Sequence, residues 1–312
     1  MSWIIIAIFS YFLVALEIIL DKFLLSSKRV SHPAIYAFYS GVLSLTALLV
    51  FSPFGFHLIS FSNALMSFAA GLVFTYGILC LFFAINKSEA SQAIPVVGAV
   101  IPLTTYFLSL IFLGERLHNF QLVGVAVLIV GGLLISFDFP LKINKRKFFA
   151  GFYYSIGAGI LLAIAFTSFK HFFDNDNFLN VYIWTRIGLC IGALTLLIVP
   201  IWRKIIFNSF TGLHKNNEEK KKNVKTGILF VATKTLGGAG SILTNKAIAL
   251  GSVTIVNALV STEYAFILLM GIVFSMWFPQ VFQEKRDVQA IFEKVVAITM
   301  IAIGVVLISM TR

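Results

Sequence analysis

Long apolar segments dominate this sequence and restrict it to folds that a lipid bilayer can hold. Most are close to the roughly 20 residues that a helix needs to cross the hydrocarbon core. We count ten, joined mostly by short loops: 3–25, 33–51, 61–85, 89–113, 120–137, 148–173, 178–202, 226–250, 252–278 and 291–310. Because lipid leaves exposed backbone groups unpaired and no barrel-like alternation is visible, the segments are predicted to be membrane-spanning helices.

The composition argues against several soluble classes. Hydrophobic residues make up 59% of the chain, charged residues only 12%, and the mean hydropathy is +0.95, whereas soluble domains carry about 25% charged residues. The net charge of +11 does not predict a nucleic-acid partner, because the cations lie in loops between apolar segments. Cys80 and Cys190 lie inside apolar segments without a CxxC or histidine partner, so we expect no disulfide, metal or other cofactor.

Two stretches half a chain apart share one pattern. Residues 88–117 begin with small residues, contain two prolines and an apolar run, and stop at GERL; a second apolar copy begins at Gly251. Five segments precede the basic loop and five follow it, so the halves should enter the membrane in opposite orientations. We predict a first five-helix repeat over residues 1–137, a basic linker over 138–148 and a second five-helix repeat over 149–312.

Loop charges predict the orientation of the chain. Most lysines and arginines follow odd-numbered segments, whereas the opposite side carries little beyond Arg116, Lys246 and Arg312. By the positive-inside rule, the odd loops face the cytoplasm and both termini lie outside a plasma or inner membrane. Residues 203–225, with low hydrophobicity and mixed charge, are interpreted as a flexible solvated connector.

The chain resembles the drug/metabolite transporter superfamily, specifically its EamA-type ten-helix members. The resemblance rests on the segment count, the five-plus-five duplication and residues 102–117, where a proline, an apolar run and GERL follow one another. The resemblance implies secondary transport of a small metabolite through a cavity lined mainly by helices 1, 3, 4, 6, 8 and 9. The second half departs from the pattern, because Tyr264 stands where the proline usually lies and no Gly-Glu ends the ninth segment. Well-known members place both termini in the cytoplasm, opposite to the orientation that the loop charges predict.

Charged residues deep in an apolar span normally face protein or water, which makes them functional candidates. In the first segment, Glu17 shares a polar stripe with Ser10. It can accept a proton or bind a cationic substrate group, or it can form a structural ion pair with a neighbouring helix. In the eighth segment, Lys234, Ser241 and Asn245 share one face, and Lys234 beside Glu17 would be mutually neutralising.

Further candidates lie in four other segments. Asn257 and Ser261 share a stripe in the ninth, while Glu263, near its midpoint but off that stripe, needs a partner on the tenth helix or in a homodimer. The resemblance places Glu263 where some members carry a carboxylate. Gln92 shares a face with the two prolines, which would free backbone carbonyls toward a cavity. Tyr76 can stack on an aromatic or quaternary-amine ligand.

Arg186, about a third of the way across the seventh segment, is interpreted as a structural charge. The resemblance implies that a basic residue at this place is a packing element and not a ligand.

The sequence predicts a carrier, not an enzyme, because it contains no HExxH, GxSxG or glycine-rich phosphate loop. We predict a secondary transporter or exporter of a small organic metabolite, with an amino acid or a similar zwitterion as the favoured substrate. Transport would be driven by protons or by the solute gradient alone. An integral-membrane enzyme or scaffold acting on a lipid-linked intermediate is the alternative.

The partners expected are a small-molecule substrate and the bilayer. The predicted proton-coupling residues are Glu17 and Glu263. The predicted substrate-binding residues are Glu17, Tyr76, Gln92, Lys234, Ser241, Asn257 and Ser261.

Overall fold

The computed structural model describes residues 2–25, 32–54, 56–87, 90–136, 145–211, 217–277 and 288–310, which are almost entirely helical and contain no strand. We number their α-helices in chain order: α1 (Ser2–Leu25), α2 (Pro33–Leu43), α3 (Thr46–Phe51), α4 (Phe61–Lys87), α5 (Ala90–Leu108), α6 (Asn119–Ser136), α7 (Lys145–Asn175), α8 (Phe178–Thr195), α9 (Pro200–Thr211), α10 (Asn217–Leu250), α11 (Val253–Ala258), α12 (Val260–Trp277) and α13 (Val288–Ser309).

Eight stretches of these described residues are long and apolar enough to cross a membrane: Ser2–Leu20, Pro33–Phe54, Phe61–Lys87, Ala93–Leu113, Gly151–Asn175, Phe178–Ile198, Val253–Phe274 and Phe292–Ser309. The predicted fifth and eighth segments lie on α6, a shorter apolar helix, and on α10, which is less apolar and is not among the eight. Large side chains such as Ile111 and Phe112 stay exposed on the outside of the bundle. The chain is therefore an all-α, multi-pass membrane protein, while ten spans in inverted repeats stay a prediction.

Turns interrupt several of the predicted segments. The second is divided between α2 and α3, and the ninth between α11 and α12. The seventh ends its α-helix at Thr195, passes through a 3₁₀ turn at Leu196–Ile198, and resumes at Pro200. Proline disfavours helical geometry in the residue before it, and Val199 accordingly has an extended backbone with ψ of 114°. Sequence periodicity alone does not reveal such breaks inside apolar runs.

The GERL stop corresponds to a distinct helix end. After α5 the chain makes a π-helical turn over Ser109–Leu113 and then reaches Gly114, whose φ of 65° is left-handed. The Gly114 amide donates a hydrogen bond to the carbonyl of Ser109, as in the glycine caps that end helices. A side chain at Gly114 would strain this conformation, which explains the glycine at this point of the motif.

Helices of the two predicted repeats pack directly against one another. α1 packs on α10, α4 on both α7 and α8, α5 on α7, and α6 on α13. The α4–α8 contact is close because glycines face the opposite backbone: a Cβ at Gly71 would lie 2.3 Å from the Thr185 carbonyl oxygen, and one at Gly188 would lie 2.4 Å from that of Phe68. The two predicted repeats therefore share an extensive interface.

Two connections differ from the sequence interpretation. α7 begins at Lys145, inside the predicted linker 138–148, whose residues 138–144 lie outside the described ranges. The prediction of a flexible connector over 203–225 is wrong where α9 runs to Thr211 and α10 starts at Asn217. The lysines and glutamates at the start of α10 are good helix formers, and Ile206 on α9 is fully buried, so both parts have reasons to be helical.

Candidate functional site

An ion pair joins the two predicted repeats inside the bundle. The ammonium group of Lys234 on α10 donates a hydrogen bond to Oε1 of Glu17 on α1 over 2.8 Å. The side chains are 22% and 17% exposed, respectively, so the pair is largely but not fully enclosed. Either charge alone would be costly within a span, whereas together they are neutral. The structure thus brings together the two residues that were expected to neutralise each other if they lay side by side.

Gly237 makes room for this ion pair. It lies one helical turn after Lys234 on α10, and a Cβ built there would approach Oε2 of Glu17 to 1.8 Å. At the adjacent Gly238, a Cβ would meet nothing within 4 Å. Gly237 is therefore required by the Glu17 carboxylate, whereas Gly238 is not.

A second carboxylate lies near the ion pair. Glu263, in the first turn of α12, is 7% exposed and interacts electrostatically with Glu17. The phenol groups of Tyr11 on α1 and Tyr264 on α12 also interact electrostatically with Glu263. Two carboxylates and one ammonium carry a net charge of −1 when all are ionised, so one proton would neutralise the group.

The predicted stripe on the ninth segment is hydrogen-bonded to neighbouring helices. Asn257 Nδ2 donates to Thr105 Oγ1 on α5 over 3.1 Å, and the Ser261 hydroxyl donates to the carbonyl oxygen of Leu128 on α6 over 2.7 Å. Asn257 is 2% exposed and Ser261 is 3% exposed. In this structure the two side chains therefore connect α11 to α5 and α12 to α6.

Two tyrosines anchor the same region. The Tyr11 hydroxyl donates to the carbonyl oxygen of Val256 over 2.9 Å. The Tyr264 ring fits against Gly98 on α5, where a Cβ would lie 2.2 Å from the phenol oxygen. Tyr11 was not among the residues predicted from the sequence, although a tyrosine in mid-span usually needs a hydrogen-bond partner and so gives a signal that sequence alone provides.

The remaining predicted substrate-binding residues, Ser241 on α10, Tyr76 on α4 and Gln92 on α5, are not among the residues described above around Glu17. Ser241 is half-buried, and its backbone carbonyl accepts a hydrogen bond from Asn245 Nδ2 over 2.8 Å. The Tyr76 hydroxyl is 2.8 Å from Thr195 Oγ1 and so links α4 to α8. Gln92 is on α5, but its side chain lies outside the described part of the structure.

Arg186 on α8 lies against an aromatic ring of the same helix. Its guanidinium lies over the Tyr182 ring, 4.3 Å from the centroid, and Arg186 is 5% exposed. Among the described residues, no acidic group pairs with it, and its Nε and Nη2 atoms have no hydrogen-bond partner. A cation–π contact therefore accounts for part of its stabilisation.

The GERL glutamate lies in a polar cluster at the end of the bundle. The Glu115 carboxylate is buried near the hydroxyl groups of Ser109 and Ser252, and burial raises its pKa above the ordinary value. The positive charge of Lys170 opposes this rise, whereas Asp174 adds to it. The described residues contain no group of three or more His, Cys, Asp or Glu side chains that could hold a metal ion.

Comparisons with known proteins support the resemblance and the fold. The model of the EamA-like transporter family matches residues 1–137. No curated protein matches the chain. A crystal structure of another protein, 13% identical in sequence, superimposes with a TM-score of 0.71 over 100% of this chain and 99% of the other, a likeness that shows the fold alone. Residues 1–137 of this multi-pass membrane protein are therefore similar to the EamA-like transporter family.

Proposed function

We propose that the chain is a secondary transporter of a small organic metabolite that works by alternating access between its two five-helix halves. The match of residues 1–137 to the model of the EamA-like transporter family supports membrane transport of this type. The Glu17–Lys234 ion pair carries the proposal, because it places one acid and one base on facing helices of the two halves.

A zwitterionic substrate matches this pair chemically. Its ammonium group can replace Lys234 at Glu17, and its carboxylate can replace Glu17 at Lys234, so both buried charges stay compensated during binding. A neutral sugar offers no such exchange. Amino acids and similar zwitterions are therefore the favoured substrate class.

Proton coupling is proposed to involve Glu263. Protonation of one carboxylate in the Glu17, Glu263 and Lys234 group would remove its net negative charge, and a lower net charge favours burial during the conformational change. Glu263, at 7% exposure, is more enclosed than Glu17 and is the preferred proton carrier.

Uptake into proteoliposomes tests the proposal. Purified protein should accumulate at least one radiolabelled amino acid, and an imposed pH gradient should change the initial rate. Glu17→Gln and Lys234→Met should abolish uptake, whereas Lys246→Met should not, because Lys246 lies over the Phe178 ring away from the ion pair. Uptake equal to that of empty vesicles across a broad metabolite panel would contradict transport.

A further inference from the structure

A polar pocket of about 340 Å³ lies apart from the ion pair, where α4 begins, α7 ends and α8 begins. Asn63 and Ser67 are one helical turn apart on α4, and His171 and Asn175 are one turn apart on α7. These two pairs line the pocket together with apolar groups such as Val181 of α8. The pocket lies at the ends of the apolar spans Phe61–Lys87 and Gly151–Asn175, and a bilayer that covers these spans would place its head groups at this level.

Ser67 is the most informative side chain of this pocket. Hydroxyls inside helices commonly donate to the carbonyl four residues earlier, as Thr75, Thr167 and Thr244 do here. Ser67 is fully buried, yet its hydroxyl has no hydrogen-bond partner among the described residues. A buried polar group without a partner in a polar pocket indicates that another molecule supplies the partner.

The pocket is also lined by hydrogen-bond acceptors, one of them a carboxylate. Asp176 lines the pocket, and its Oδ1 accepts a hydrogen bond from the Asn177 amide while lying 3.7 Å from Nε2 of His57. The Asn175 amide nitrogen donates to the His171 carbonyl oxygen, which leaves the Asn175 side-chain oxygen as an acceptor. The pocket therefore combines hydroxyl and imidazole donors for an anionic group with a carboxylate for a cationic one.

An apolar path leads from the pocket along the outside of the bundle. On α7, Ile160 and Ile164 are 40% and 36% exposed, and the same helix face continues through Ser168 to His171 and Asn175. A free polar solute would gain nothing from this stripe. A lipid would place its head group in the pocket and an acyl chain along the isoleucines.

We propose that this pocket binds the head group of a zwitterionic phospholipid, with the phosphate at Ser67 and His171 and the primary ammonium group at Asp176. Phosphatidylethanolamine has this combination of charges. A quaternary choline head group cannot donate a hydrogen bond to Asp176 and should bind less well.

Native mass spectrometry and thermal melts of the purified full chain test the assignment, with phosphatidylethanolamine, phosphatidylcholine or soluble phosphoethanolamine added to a delipidated detergent sample. Phosphatidylethanolamine should be retained preferentially and should raise the melting temperature most. Asp176→Asn should abolish the preference over phosphatidylcholine. Ser67→Ala should weaken binding by about tenfold, as expected for a lost hydrogen bond to a charged group.

Ser168→Ala is the matched control, because the Ser168 hydroxyl donates to its own helix at the Ile164 carbonyl and so should not affect lipid binding. Asn63→Ala, at an exposed position, gives a second test if Ser67→Ala fails to fold. Equal retention of both lipids, or unchanged binding in the folded pocket variants, would overturn the proposal. Equal stabilisation by soluble phosphoethanolamine would assign the pocket to a free solute and overturn the lipid assignment.

Discussion

Lys234 and Glu17, 217 positions apart in the chain, form a 2.8 Å ion pair between the two halves of the bundle. The pair lies where α1 packs against α10, and Gly237 leaves the space that the carboxylate occupies. Removing one member leaves an uncompensated charge, whereas removing both does not.

Lys234→Met should therefore destabilise the protein more than the double variant Glu17→Gln/Lys234→Met. For the single change we expect a loss of about 3 kcal/mol, near the low end for breaking a buried pair, because both side chains keep some solvent contact. Thermal or denaturant melts of all three variants would give the coupling free energy. Additive effects of the two substitutions would contradict a direct interaction.

Gly237→Ala should impair transport and stability, whereas Gly238→Ala should not. The new Cβ at Gly237 meets the Glu17 carboxylate, while the one at Gly238 enters open space. Replacing glycine by alanine in a helix otherwise stabilises it by about 0.8–1.0 kcal/mol, so Gly238→Ala should melt slightly higher than the wild type. Melting curves and initial uptake rates measure both effects, and equal behaviour of the two variants would refute the assigned contact.

Glu263→Gln should abolish stimulation by a pH gradient while leaving exchange of substrate across the membrane. The amide keeps the shape of the side chain but cannot exchange a proton, and it removes the repulsion toward Glu17. Counterflow exchange and pH-driven uptake measured on the same proteoliposomes separate the two steps. Persistent pH stimulation in this variant would exclude Glu263 as the coupling residue.

Glu115→Gln should change how stability depends on pH. Burial raises the pKa of Glu115 in the folded protein. Its contribution to the free energy of unfolding is therefore favourable below the pKa that Glu115 has in the unfolded chain, and it is lost as the pH rises through the pKa of the folded protein. The melting temperature of the wild type should therefore fall relative to Glu115→Gln over that range. Parallel melting-temperature curves between pH 4 and 8 would contradict this effect of burial.

The loop charges make a separate prediction about orientation. In a background lacking Cys80 and Cys190, a cysteine at Ser2 should react with a membrane-impermeant maleimide on intact cells, and one at Asn217 should react only after lysis. Labelling with the opposite pattern would place the termini in the cytoplasm.

Local sequence determined the helical, membrane-embedded class of this protein. Apolar runs of bilayer length leave the backbone few alternatives to helix, and the GERL stop corresponds to the left-handed Gly114 cap. The depth of Glu17, Lys234 and Glu263 within apolar segments also identified them as residues that require compensation. These signals are local, because each depends only on hydropathy and position within one segment.

The tertiary structure decided which of these residues meet. The Glu17–Lys234 pair, the Asn257–Thr105 hydrogen bond and the space at Gly237 all depend on how helices far apart in sequence are packed. The Arg186–Tyr182 cation–π contact is different, because it joins two residues one turn apart on α8 and is therefore local. Helical periodicity places a side chain on a face of its helix, but the neighbouring helix and its register follow from side-chain packing across the whole bundle.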